Sequence, residues 1–191
     1  MRKIILLLVL LFMISCNSKK AFETNIKCDV RETENVLAFD SLYNNIDTTK
    51  LFLNKINEFE KVKTGVLFCQ FRPNMKYGKF TIIKKNIDNS FVCYNSGSSY
   101  NEEIILKNPD NKLLLDNLSS VNKKYYYEQC DDHTLHQTFY LMLVKVNGSI
   151  VSKYISVGRF KVNSVNGNTN LNIIKSLLEI MERNSYKTSN P

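Results

Sequence analysis

The chain has 191 residues, 43% of them hydrophobic, with a formal net charge of +8, no tryptophan and five cysteines. That apolar content excludes a wholly disordered chain, and the length suits one domain with a real core rather than two. The basic excess lies in short pairs such as Lys19-Lys20, Lys84-Lys85 and Lys123-Lys124, with no basic arm of five or six like charges, so it reads as a solvated surface; export, if the N-terminus directs it, argues against a nucleic-acid partner.

At the N-terminus Arg2 and Lys3 precede an unbroken apolar run, Ile4 through Ile14. The small residue Ser15, Cys16 and a polar stretch follow. A positive start, a short apolar middle and a small residue before the cut make up a secretory signal peptide. The run is shorter than the about 20 residues that cross a bilayer. Met13-Ile14-Ser15-Cys16 resembles the bacterial lipobox, with Met13 where leucine is usual. The resemblance is to the bacterial lipoproteins. It implies diacylglyceryl transfer to the Cys16 thiol, cleavage before Cys16, acylation of the new amine and a membrane as partner. The mature protein is then expected in the cell envelope, on a periplasmic or surface face. Each buried CH₂ contributes about 0.8 kcal/mol, and one acyl chain holds only marginally, so two or three chains make release negligible. Losing Arg2 and Lys3 with the signal lowers the formal charge from +8 by two, to +6.

The expected organisation is a signal over 1–15, lipidated Cys16 with a polar tether over 16–32, one α+β domain over 33–186, and a disordered tail over 187–191. Two N-terminal helices are expected. Val36, Leu37, Phe39, Leu42, Tyr43 and Ile46 carry the first, and Phe52, Ile56 and Phe59 the second, which Gly65 ends. The period then switches. Val66–Phe71, Phe80–Ile83 and Phe91–Tyr94 are β-prone runs at close spacing, with a further strand at Glu103–Leu106, which suggests an antiparallel meander. Asn108-Pro109 opens a helix bearing Leu114, Leu118 and Val121.

Phe139–Val146 and Ser149–Val157 are joined by Asn147-Gly148, the preferred pair for a type I′ hairpin. The expected register sets Val144 opposite Val151 and Tyr140 opposite Ile155. Apolar residues on both faces place this hairpin centrally in the sheet. A C-terminal helix over 169–183 presents Leu171, Ile174, Leu177, Leu178 and Met181 as one stripe for packing on the sheet. The fold class is therefore α+β: an antiparallel sheet of about five or six strands, N-terminal helices and a packed C-terminal helix.

With Cys16 committed to lipid, Cys28, Cys69, Cys93 and Cys130 remain, an even set in an oxidising compartment. Four cysteines permit three pairings. A Cys69–Cys93 bond would tie neighbouring strands, and Cys28 would then staple the N-terminal segment to Cys130. Buried free thiols are the alternative.

Chemistry-bearing motifs are sparse. Nucleotide-binding glycine loops, a zinc-protease helix and a nucleophile elbow are absent. Cys130-Asp131-Asp132-His133-Thr134-Leu135-His136 gathers both histidines beside two carboxylates, groups able to bind zinc or copper or to move protons. Asp131, Asp132, His133 and His136 are thus weak metal-site candidates, set in what reads as a polar loop. Tyr125-Tyr126-Tyr127 could stack a ligand, but reads as the start of a strand. No cofactor is implied. The expected function is a non-enzymatic envelope module that binds a protein or other envelope component. The alternative is an envelope hydrolase or metal-dependent enzyme using Asp131, Asp132, His133 and His136.

Overall fold

The structure, a computed structural model, describes residues 28–33, 50–71, 78–97, 101–130, 138–157 and 167–184. Eight strands form one open sheet: β1 Cys28–Thr33, β2 Gly65–Phe71, β3 Gly78–Lys85, β4 Phe91–Ser96, β5 Asn101–Ile105, β6 Lys124–Cys130, β7 Phe139–Val146 and β8 Ser149–Val157. Three helices accompany them: α1 Lys50–Glu60, α2 Asn108–Ser120 and α3 Thr169–Asn184. Across the sheet the order is β1-β6-β8-β7-β2-β3-β4-β5. Every pairing is antiparallel except β6 with β8, which run parallel.

The α+β class holds, with two corrections. The sheet has eight strands and is mixed, where five or six antiparallel ones were expected. Among the described residues only one of the two expected N-terminal helices is seen, as α1, and the first described element is an edge strand, β1, to which residues 28–32, expected in the tether, belong. α1 is the described helix ahead of β2, ending at Glu60 rather than at Gly65. The helix expected over Val36–Ile46 lies outside the described residues, as do the signal, Cys16 and the tail over 187–191. No described helix is long and apolar enough to cross a membrane.

The hairpin occupies its expected bounds, and Asn147 (φ 50°) and Gly148 (φ 84°) both take the positive φ that a type I′ turn requires. It is central, with β7 paired to β2 and β8 to β6. Its register departs from the simple ladder. Lys145 pairs with Ile150, but Val144 pairs with Ser152 and Tyr140 with Ser156, so a bulge leaves Val151 over. One extra residue turns the rest of β8 to the other face. Tyr154 therefore joins Met142 on one side, and Ile155 joins Leu141 on the other.

Both faces are covered. One apolar cluster lies between the sheet and α2 with α3, gathering Val66, Ile83, Cys93, Met142 and Tyr154 against Leu114, Leu118, Leu171, Ile174, Leu177, Leu178 and Met181. The other lies on the α1 side, where Phe59 meets Leu67, Ile82, Leu141, Leu143 and Ile155. The α3 stripe thus packs as its spacing predicts, and Ile173 and Ile180 widen it.

Polar side chains lock α3 in place. Asn168 Oδ1 accepts from Leu171 N at the start of the helix (3.0 Å), a capping bond. At the other end Asn95 Nδ2 donates to Asn184 O at 2.7 Å, while Asn95 Oδ1 accepts from Thr81 Oγ1 at 2.8 Å. Gly65 opens β2 because nothing larger fits: a Cβ there would sit 2.1 Å from the Ile83 carbonyl oxygen.

Candidate functional site

An open groove of about 480 Å³ lies between α1 and the β3–β5 end of the sheet. Its floor follows from strand periodicity. On the face towards α1, cross-strand rows run Phe80–Ser96–Asn101, Ile82–Tyr94–Glu103 and Lys84–Val92–Ile105. Lys55 and Glu58 form the wall, with Val62 just beyond the helix. α1 is held over the sheet by Phe59, 2% exposed, with Ile56 and Val62 packed nearby. Its polar face is left to line the opening.

The charges are ordered. Lys55 Nζ bonds the Glu58 carboxylate at 2.8 Å, one turn along the helix. Lys84 Nζ stands 4.5 Å from the centre of the Tyr94 ring, the diagonal neighbour that cross-strand spacing brings into reach. Glu102 and Glu103 are exposed on β5. The groove therefore offers an aromatic ring with a cation over it, a hydroxyl from Ser96, an amide from Asn101 and a carboxylate from Glu103.

On the other flank of α1 a smaller recess of about 170 Å³ is lined by Ile56, Phe59, Leu143, Ile150, Lys145 and Lys153. Lys145 is largely buried, and its Nζ donates at 2.6 Å to the Glu60 carbonyl, one of the orphan acceptors at the end of α1. That lysine has a structural task.

Beneath α3 a second polar group is fully enclosed. The Tyr126 and Tyr154 rings lie 6.0 Å apart, and Glu128, 0% exposed, is one pleat along from Tyr126. Burial foremost, then the Glu128 charge and its hydrogen bond, push the Tyr154 phenol well above its ordinary value, so it stays protonated. Asn170 Nδ2 donates to the Tyr126 hydroxyl (3.3 Å) and Asn170 Oδ1 accepts from Asn122 N (2.8 Å). This cluster joins α3 to β6.

Of the pairings left open by the sequence, the Cys69–Cys93 bond is the one the structure contradicts, since both thiols are free and buried. The reason is register. Cys93 shares a row with Ile83 and Val66, and Cys69 is three residues from Val66, which puts it on the opposite face. Burial pushes the Cys69 thiol up; burial and the Glu102 charge push Cys93 up to about 12, against a smaller opposing effect of its Asn95 bond. Neither is a nucleophile at neutral pH. Cys28 is disulfide-bonded, and its partner in the β1–β6 register is Cys130.

Asp131, Asp132, His133 and His136 lie outside the described residues. Among the described residues no group of three or more His, Cys, Asp and Glu is placed to hold a metal ion. The three tyrosines belong to β6, with Tyr125 and Tyr126 buried and Tyr127 half-buried, because that strand is covered on both faces. Lys55, Glu58, Lys84, Tyr94 and Glu103 were not singled out by the sequence, since residues 55 to 103 converge only through the meander and the placement of α1. Compared with known protein families, with curated proteins and with solved structures, the chain matches none.

Proposed function

We propose that the protein is a lipid-anchored envelope module that binds a partner non-enzymatically through the groove between α1 and β3–β5. The anchor rests on the signal layout ending at Ser15-Cys16. The binding role rests on one observation above all: an open groove of about 480 Å³ with Glu58, Asn101, Glu102 and Glu103 exposed along it and sheet as its floor.

The described strand nearest Cys16 in sequence and the groove lie at opposite edges of the sheet: β1 is one edge and β5 is the other. Seven strand spacings of about 4.8 Å separate them by roughly 34 Å. A domain held at the β1 side carries its groove away from the bilayer.

The test combines two variants with crosslinking in native membranes. Cys16→Ser should leave the protein unprocessed or soluble. His133→Ala with His136→Ala should leave membrane attachment and the crosslinked partner unchanged. Full processing and membrane retention of Cys16→Ser would refute the anchor. Loss of phenotype in the folded double-histidine variant would favour the enzyme reading.

A further inference from the structure

We propose that the outer edge of β5 takes an extended, basic peptide segment of a partner protein as an added strand, whose alternate side chains enter the groove. The inference rests on the binding role proposed above and names the occupant.

Backbone direction carries it. β5 is the last strand of the sheet, and among the described residues it pairs only with β4. Leu106 N donates to Phe91 O at 3.1 Å, which fixes the alternation of the antiparallel ladder. Ile104 and Glu102 then turn their N–H and C=O groups towards β4. Asn101, Glu103 and Ile105 turn theirs outwards. These same three residues stand opposite Ser96, Tyr94 and Val92 on the groove face. An added strand would bond their backbone and lay every second side chain beside the groove, the arrangement in which main-chain bonds give affinity and pockets give specificity.

Ile105 is 73% exposed at the end of β5, an apolar side chain of the kind edge strands usually avoid. Charge selects the occupant. Lys55 is paired with Glu58, Lys84 lies over Tyr94, and Glu102 and Glu103 make no ion pair among the described residues. Two lysines and three glutamates line the groove, a net charge of −1 on a basic chain. A second copy is the poorer occupant: full antiparallel overlap of two β5 strands sets Glu103 directly against Glu103, a destabilising like-charge pair.

The test titrates the full chain, in a neutral detergent, with a fluorescein-labelled peptide of ten alternating lysines and valines. A Glu-Val peptide of the same length is the comparison. The Lys-Val peptide should bind at least about tenfold more tightly, and Glu102→Lys with Glu103→Lys should remove about that tenfold preference. Amide exchange read by NMR should slow at Glu103 and Ile105, whose N–H groups face outwards, and change little at Ile104. Ile105→Pro removes one outward N–H without breaking the ladder to β4, and should abolish binding while the fold persists. The exposed Glu102 and Glu103 changes decide the matter if that variant unfolds. Equal binding of both peptides, binding without protection of Glu103 and Ile105, or no binding below about 1 mM overturns the proposal. If those results come while a partner still crosslinks to the groove, the strand occupant fails and the binding module stands.

Discussion

Removing the Asn95 side chain should cost far more than its size suggests. Asn95 is 2% exposed and joins three elements: β4, on which it sits, β3 through Thr81 Oγ1 at 2.8 Å, and the end of α3 through Asn184 O at 2.7 Å. Asn95→Ala deletes two hydrogen bonds contributing about 1 kcal/mol net each, and a weaker one from Cys93 Sγ. It also leaves the buried Thr81 hydroxyl and a helix-terminal carbonyl without these partners, which brings the cost to about 3 kcal/mol. For a chain of this size each kcal/mol shifts Tm by about 2–4 °C, so the expected fall is about 6–12 °C. Thr81→Val removes one donor and keeps the shape, and should cost about 1 kcal/mol, or about 2–4 °C. The double variant should cost less than the sum, because no Thr81 hydroxyl is left stranded. Circular dichroism melts of the four proteins measure this. A fall below about 2 °C for Asn95→Ala, or strict additivity, would refute the role given to Asn95.

Three further outcomes are expected. Gly65→Ala should abolish soluble expression or cost more than about 3 kcal/mol, since the Cβ would lie 2.1 Å from the Ile83 carbonyl oxygen and backbone must move; a wild-type melt would contradict the close approach of β2 and β3. In the folded protein Cys69 and Cys93 should resist alkylation at pH 8, both reacting once unfolded, while Cys28 is recovered with Cys130 in one non-reduced peptide; rapid labelling of Cys69 or Cys93 in the native state would contradict their burial. At Asp110 partial burial pulls the carboxyl up, but the bonds from Arg183 (2.7 Å) and Asn184 and the Arg183 charge outweigh it, and its pKa falls below the ordinary 3.8. A lowered pKa in the folded state makes the ionised form stabilising above about pH 4, with the contribution lost as pH falls through the folded value. Asp110→Asn should therefore cost about 0.5–1 kcal/mol at neutral pH and progressively less as the pH falls below about 4, and a pH-independent difference would exclude the linkage.

Strong, local patterns reached the fold intact. The Asn147-Gly148 turn and its flanking β-prone runs located β7 and β8 to the residue, and the spacing of Leu171, Ile174, Leu177, Leu178 and Met181 located α3. What escaped depends on partners distant in sequence. The bulge at Val151 changes faces through one surplus residue, and no local pattern marks it. β1 is short and polar, with Asp29, Arg31 and Glu32 exposed, because an edge strand buries little; its composition matches that of a tether. The failed Cys69–Cys93 pairing has the same origin, since which face each thiol takes follows only from the β2–β3–β4 register. The groove was least legible. Its cation over Tyr94 and its carboxylate at Glu103 meet because the meander brings Lys84, Tyr94 and Glu103 side by side.

The central claim is that partners meet the α1 side of β3–β5 and not the face covered by α2 and α3. A photo-crosslinking amino acid at Asn101, exposed at the groove, and another at Leu113, exposed on α2, separate these in intact cells. The account predicts one discrete crosslinked product from Asn101, none from Leu113, and loss of the Asn101 product when Glu102→Lys and Glu103→Lys are added. A product from Leu113 alone, or one from Asn101 indifferent to those carboxylates, would contradict it.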